Sequence, residues 1–488
     1  MPDSSPIASR PDAARRSSPR RDLTQGPIGK TLFLFALPVL GGNALQNLNV
    51  TINAFWISHS LGVQAVTAIS NANLIIQLLM GAAFGVSMAA NIMIGQAFGA
   101  HDMRMVKRVV GTATGFFVLL PVALAVFGGI AAPHILDAMK TPLDARADAI
   151  AYLRVMFSAM PFIYFFYYMQ MAQRGGGDST TPFYFMILTV LLDSSLNPLL
   201  IRGIGPFPRL GIAGSATATL IAQGISLLVM LVFLYRRNSH LLLRADELRL
   251  LKPEFEILKA LVVKGVPMGV QMIVLGVAAM MMISLVNRYG SMTTAAYGAA
   301  SQVWSYIQMP AMALSAAVSS MAAQNVGAQR WDRVAQIAVK GVMIGFAITG
   351  TVVVAVYGLG DLVLGLFLPP HSAAIPIARH IDYVVLWAWT LFSITFTLFG
   401  IVRSTGAVWA PLGVLAVSMW VVRVPFALAL IPRWGAEAIW WSFPLGTICS
   451  ATLAALYYRF GGWRRARMID PSHLHMDAAA QPAEAHSV

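Results

Sequence analysis

Long apolar runs, each broken by glycine, proline or a short charged cluster, recur along the chain and predict twelve membrane-spanning helices. They fall at about 31–57, 66–97, 106–131, 150–172, 181–201, 211–235, 261–287, 294–321, 335–358, 378–402, 409–431 and 435–459. Each run is long enough for an α-helix to cross a hydrocarbon layer roughly 30 Å thick at about 1.5 Å per residue. Polar residues are sparse inside the runs, which makes the fifth one unusual. Its stretch LTVLLDSSLNPLLI (188–201) sets Asp193, and Asn197 one helical turn later, among apolar neighbours.

Composition supports the membrane reading. The chain is 57% hydrophobic and 11% charged, against roughly 25% charged in an average soluble domain. Mean hydropathy is +0.69. The single cysteine, Cys449, excludes an intrachain disulfide and a thiolate metal cage. No phosphate-binding loop, zinc motif or nucleophile–base constellation is present, and GGG at 175–177 reads as a turn, so neither an enzyme nor a cofactor is expected. Residues 1–28, rich in Pro, Ser and Arg, are expected to form a disordered basic tail.

The net charge of +14 is a topology signal. With an even number of spans both termini share one side, and that side holds 25 of the 34 Lys and Arg residues. Positive-inside bias therefore places both termini in the cytoplasm, as for a multi-pass protein of the inner (plasma) membrane. The surplus suits anionic lipid headgroups, and nucleic acid is not expected as a partner.

The chain also repeats itself at an offset of about 228 residues. GQAFGAHDMRMVKR (95–108) lies opposite AQNVGAQRWDRVAQ (323–336), aligning Gln96, Gly99 and Ala100 with Gln324, Gly327 and Ala328. LGVQAVTAIS (61–70) faces YGSMTTAAYG (289–298), and RGGGDSTTP (174–182) faces RSTGAVWAP (403–411). Six spans per half in the same orientation predict an all-α integral membrane fold of two six-helix pseudo-symmetric lobes, as in secondary transporters. The expected limits are an N-lobe at 29–235, a cytoplasmic linker at 236–262, a C-lobe at 263–460 and a cytoplasmic tail at 461–488.

Four stretches give this sequence a resemblance to the multidrug and toxic compound extrusion (MATE) family. They are LPVLGGNALQNLNVTINAFWISHSLG (37–62), GQAFGAHDMRMVKRVV (95–110), QRGGGDSTTP (173–182) and GIAGSATATLIAQ (211–223). The resemblance implies twelve helices in two lobes and export of organic, mostly cationic compounds against an inward flow of H+ or Na+. It is nearer the branch with its cation site in the N-terminal lobe, with departures. Asn53 stands where that branch has a helix-1 carboxylate, and Asp193 precedes Asn197-Pro198 where an Asn usually precedes Asp-Pro. Another branch places carboxylates in helices 7 and 10, where Leu275 and Phe392 stand here.

Elimination singles out Asp193. Sixteen of twenty acidic residues fall in tails or loops, and Asp361, Asp382 and Glu437 lie near the outer ends of spans. Asp193 lies eleven residues past Pro182, roughly 16 Å along the helix. A charge at that depth costs on the order of 2.5–3.5 kcal/mol on insertion scales, so it should face a cavity. Asn197, Asn53 and Thr219 are the expected companions, with Gln46, Asn49 and Thr217 nearby, and the site is expected to carry the coupling ion. Burial disfavours the charged form and favours H+. Na+ stays open as the rival ion, with Asp193, Asn197, Asn53 and Thr219 as oxygen ligands and no other metal expected.

Arg423 lies one position from residue 422, the repeat equivalent of Asp193, and is a candidate gate or cavity charge, with a latch to Asp193 as the alternative to a cation site. Pro38, Gly41 and Gly42 mark either a hinge in helix 1 or a static kink. The aromatic FIYFFYYMQM (162–171) and methionine-rich AAMMMISLV (278–286) suit either core packing or a pliable cavity wall. The leading expectation is a monomeric H+-coupled exporter of small organic cations. A Na+-coupled exporter and a lipid-linked saccharide flippase are the alternatives, and the flippase would need a more basic cavity than Arg423 alone provides.

Overall fold

The computed structural model describes residues 22–61, 63–141, 143–369 and 372–469, and it is helical throughout. Its membrane-length helices are α1 (Ile28–Leu61), α2 (Val63–Gly99), α3 (Met103–Ala138), α4 (Leu143–Gly175), α5 (Thr180–Arg202) and α6 (Ile212–Arg236) in the first half. The second half contributes α7 (Phe255–Val286), α8 (Ser291–Gly327) and α9 (Trp331–Gly358). Then come α10 (Ala374–Val385 and Ala388–Ser404, bent by 48°), α11 (Trp409–Trp434) and α12 (Glu437–Phe460). Ten of these are long and apolar enough to cross a membrane unaided, and the bent α10 makes eleven.

The twelfth, α8, is too rich in Ala, Ser and Gln to qualify by hydropathy. Packing explains the shortfall: 22 of its 37 residues are buried. A helix shielded from lipid by its neighbours has no need of an apolar surface all round.

The duplication survives in small backbone details. His101 between α2 and α3 and Gln329 between α8 and α9 both adopt φ of 58°. Non-glycine residues seldom take that left-handed conformation, and these two positions are 228 apart. Asp102 then caps α3, its side chain accepting the Met105 N–H.

The halves interlock. On α2, Gly81 and Gly85 form a GAAFG motif that meets GVPMG of α7, residues 265–269. A Cβ on Gly85 would lie 2.2 Å from the Gly265 carbonyl oxygen, and one on Gly269 would lie 2.7 Å from that of Gly81. Backbone meets backbone there, as small-xxx-small pairs allow in membranes. The repeat-related contact is built differently: Leu32, Phe35 and Val39 of α1 join Ala313, Leu314, Ala317, Val318 and Met321 of α8 in one buried cluster.

Each half is also entered through the other. Before α1, Leu23 is fully buried in the cluster of α8 and α9, and Arg330 Nη1 donates to the Thr24 carbonyl at 2.8 Å. Before α7, a short 3-10 segment (Ala245–Leu251) rests on α3. Lys107 Nζ meets Glu247 Oε2 there at 2.6 Å, and Arg108 forms a bidentate pair with Glu254.

Chain outside the membrane-length helices is packed at both ends. The N-terminal tail, expected to be disordered to residue 28, is ordered from Asp22, whereas residues 1–21 lie outside the described residues. Past α12, Trp463 and Met468 are buried, with Trp463 stacked against Tyr458 at 5.1 Å, so the segment that follows this helix packs onto the core. Residues 470–488 lie outside the described residues. Both described termini sit at the end of the bundle where α8 meets α9 and α10 meets α11, since Leu23 bonds Gln324 and the Trp463 carbonyl accepts from Thr405.

Candidate functional site

Helices α1, α5 and α6 converge on Asp193, which is 1% exposed. Their apolar faces pack the helices together, and the few polar residues left inside find one another because no water or lipid partner serves as well. Asn49 and Asn53, four residues apart on α1, both donate through Nδ2 to Asp193 Oδ2, at 2.7 and 2.9 Å. Thr219 of α6 donates to Oδ1 at 3.2 Å while also reaching back to the Ser215 carbonyl. Asn197, fully buried one turn beyond Asp193, donates to Asn53 Oδ1 at 2.6 Å.

All four expected site residues thus meet. Asn49, seen in sequence only as a neighbour on the α1 face, is a direct partner of the carboxylate. Gln46 is exposed, and Thr217 instead donates to the Ala213 carbonyl of its own helix. The outer end of α1 is tied to α5 separately, by Arg202 Nε donating to Ser60 Oγ at 3.0 Å and by the Arg202 guanidinium over the Trp56 ring.

The carboxylate receives three neutral donors and has no salt bridge among the described residues. Two amide oxygens of the same network, Asn49 Oδ1 and Asn197 Oδ1, are buried without a partner. A site with one titratable charge and spare acceptors beside it can take up a single positive charge. Tyr152 of α4 is also buried.

Arg423 is elsewhere. It closes a π-helical segment (Val417–Arg423) of α11, and its guanidinium lies 3.3 Å from the centroid of the Phe443 ring on α12. Its Nη1 approaches Met419 Sδ at 3.5 Å, and its Nε is buried without a partner. An Asp193–Arg423 latch is absent among the described residues, so the alternative of a pair bridging the lobes does not describe this conformation. Glycine at 446 permits the approach of α12, since a Cβ there would lie 3.2 Å from Arg423 Cβ.

One acid departs from its expected surroundings. Asp382 is only 5% exposed and accepts the Trp304 indole N–H at 2.9 Å, inside a cluster that includes Tyr297, Trp440 and Phe443. Counting residues from span ends could not reveal this, because depth along a helix does not say which face packs inward. The two positions matching the second-lobe carboxylates of another family branch are apolar in structure too: Leu275 packs against Phe392 and Phe396.

Helix α1 runs unbroken through Pro38. A Cβ on Gly41 would lie 2.6 Å from the Phe183 ring of α5, whereas one on Gly42 would meet nothing within 4 Å. The aromatic stretch of α4 is largely core, with Tyr164, Phe166 and Tyr168 buried. In the methionine-rich part of α7, Met282 is buried and Met280 is 47% exposed.

Comparison with known proteins fits this architecture. The family model MatE matches the chain twice, over residues 38–199 and 267–429. "Probable multidrug resistance protein YoeA" of Bacillus subtilis (strain 168) is 36% identical over 435 residues, covering 89% of this chain and 94% of the relative. "Multidrug export protein MepA" of Staphylococcus aureus (strain MRSA252) is 24% identical over 440 residues, with 89% and 94% covered. Among solved structures, a multidrug resistance MATE family transporter of the MOP superfamily in an outward-facing conformation superposes with a TM-score of 0.83 at 20% identity, covering 91% of this chain and 98% of the other. A MATE described in the bent conformation gives 0.84 at 20% identity, with 95% and 100% covered.

Proposed function

Because the chain belongs to the multidrug and toxic compound extrusion family, whose members are multi-pass membrane transporters, we propose that it exports small organic, mostly cationic compounds in exchange for protons. The lone Asp193, held by Asn49, Asn53 and Thr219, is the group that carries the coupling proton. The observation behind this reading is that its carboxylate is buried among neutral donors with no fixed counter-cation. Such a group changes the charge of its cavity by one unit when it binds a proton, and nothing permanent cancels that change.

The cycle follows from the charge. Ionised Asp193 attracts a cationic compound into the first lobe. Protonation from the side opposite the termini removes that attraction, releases the compound and lets the amide network rearrange, the added proton finding an acceptor such as Asn49 Oδ1. One pH unit supplies about 1.4 kcal/mol per proton, and 100 mV supplies about 2.3 kcal/mol per charge. Pro38, Gly41 and Gly42 let α1 bend as its outer half follows the network. The basic bias of the loops puts the terminus-bearing end in the cytoplasm of the plasma membrane, with lobes at 29–235 and 263–460 joined by 236–262 in a monomer.

A second reading has its own support. The unpartnered oxygens Asn49 Oδ1 and Asn197 Oδ1 beside a carboxylate are hard donors of the kind Na+ takes. Efflux of ethidium from vesicles under an imposed pH gradient or an imposed Na+ gradient separates the two. The proton reading expects efflux with pH alone and its loss in Asp193→Asn. Efflux driven by Na+ alone transfers the site to Na+, and undiminished coupled efflux in the variant removes Asp193 from the mechanism.

A further inference from the structure

At the terminus-bearing end, the repeat-related ends of α2 and α8 cross near the pseudo-two-fold axis, and the contacts come in reciprocal pairs. A Cβ on Gly99 of α2 would lie 1.8 Å from the Gln324 carbonyl oxygen, and one on Gly327 of α8 would lie 1.9 Å from that of Gln96. The side chains reciprocate as well. Gln96 Nε2 donates to the Ser404 carbonyl at 2.6 Å, and Gln324 Nε2 donates to the Gly175 carbonyl at 2.9 Å. Ser404 and Gly175 are the last residues of α10 and α4. Each glutamine therefore caps an orphan carbonyl at the end of a helix in the opposite lobe.

We propose that Gln96 and Gln324 form a reciprocal latch that closes the transporter at its terminus-bearing end, and that loading substrate from that side requires both amides to release together. Glycines at 99 and 327 are part of the device, because only a bare backbone lets the helix ends approach until both glutamines reach across. The bonds are reversible by construction: water replaces an amide on a helix-end carbonyl without leaving it unsatisfied. Water has a place to enter, since a cavity of about 230 Å3 lies beside the crossing, lined by Gln96, Gly327, Thr405 and Arg467 among others.

The latch is not fully symmetric. Gln324 also accepts the Leu23 N–H through Oε1 at 3.1 Å, and the adjacent Asn325 donates to the Leu23 carbonyl at 3.0 Å. Leu23 leads directly into α1, the helix whose outer half supplies Asn49 and Asn53 to Asp193. The Gln324 half is thus tied to α1, and the Gln96 half faces the cavity. Loss of Gln324 should therefore open this end more readily than loss of Gln96.

The inference takes from the transport reading only that the lobes part at this end, and its test needs neither substrate nor ion gradient. Spin labels at Arg104→Cys and Asp332→Cys, exposed repeat-related positions in the first turns of α3 and α9, are placed in a Cys449→Ser background. Double electron–electron resonance then reports the spacing of the lobes at this end in lipid nanodiscs. A single short distance is expected for the parent. Gln96→Leu with Gln324→Leu should add a longer-distance population, and Gln324→Leu alone should add more of it than Gln96→Leu alone. Gly99→Ala with Gly327→Ala, which leaves both amides intact but forces the helix ends apart, should lengthen the distance too. If both double variants purify as folded protein and keep the parent distribution, the latch is overturned. If the glutamine pair fails to fold, the glycine pair decides by the same criterion. Failure of pH-driven efflux with these shifts intact would count against the coupling site and leave the latch standing.

Discussion

The two lobes share a scaffold and differ in the charge placed at equivalent depth. In the first, a carboxylate at 193 collects amides and a hydroxyl from α1 and α6. In the second, a guanidinium stands at 423, one position past the repeat equivalent of Asp193, and it rests on an aromatic ring and pairs with no acid among the described residues. Both are buried ions, but their partners differ in kind. Neutral hydrogen-bonding groups can follow a change of protonation. A guanidinium stays charged under all ordinary conditions, and the face of a ring serves it without titrating. Duplication supplied two equal frames, and ion coupling on this reading was built in only one of them.

The largest expected effect tests that division. Asp193→Asn should lower pH-driven efflux by about tenfold or more, a rise of at least about 1.4 kcal/mol in the barrier. Arg423→Met should keep efflux responsive to the pH gradient, whatever it does to the overall rate. If both variants lose the response equally in vesicle assays, the lobes are not divided in this way.

The helix crossings offer a second comparison. Gly85→Ala drives a methyl group into the Gly265 carbonyl and should cost about 1–3 kcal/mol of stability through overpacking. Gly42→Ala, where the added Cβ meets nothing, should be neutral or stabilise by up to about 1 kcal/mol through helix propensity. Thermal unfolding of the two variants side by side checks the contrast, and equal melting shifts would refute it.

Within the polar site, Asn53→Leu removes one donor from Asp193 and strands Asn197 Nδ2 in a buried position. A stability loss of about 1–3 kcal/mol is expected, visible as a lower melting temperature than that of Gln46→Leu, which alters an exposed side chain.

The smallest effect concerns the lead-in to α7. Partial burial works to raise the Glu247 carboxyl, but hydrogen bonds from Lys107 and the Arg244 backbone, with the charges of both residues, hold it below the usual carboxylate range. A depressed acid contributes stability above its ordinary value of about 4.3, and that contribution fades as pH falls through the lowered one. Lys107→Met should therefore cost about 1 kcal/mol at neutral pH and less in strong acid. Limited proteolysis of the segment between α6 and α7 is a suitable readout, and equal cleavage of variant and parent at neutral pH would argue against the anchor.

How much of this was legible in the chain varies from residue to residue. Asp193, Asn197, Asn53 and Thr219 could be grouped because each is a costly polar residue in an apolar run, and such residues have few places to go. The burial of Asp382 carried no comparable signal, since it depends on which helix face meets Trp304. The repeat was visible as Gln96, Gly99, Gln324 and Gly327 in register. That those four touch one another across the pseudo-axis could not be seen, because register specifies equivalence and says nothing of contact.

By itself, the sequence determined that the chain crosses the membrane as helices, that its halves are duplicates, and that a single acid lies deep in the fifth span. Those properties follow from local energetics, in which every residue carries its own transfer cost and every turn its own backbone requirement. Only the tertiary structure decided that Asn49 serves the acid, that Arg423 turns to Phe443, and that each half is entered through its partner. Such choices depend on which surfaces fit at close range, and close packing discriminates at distances of a few tenths of an ångström that no one-dimensional pattern encodes.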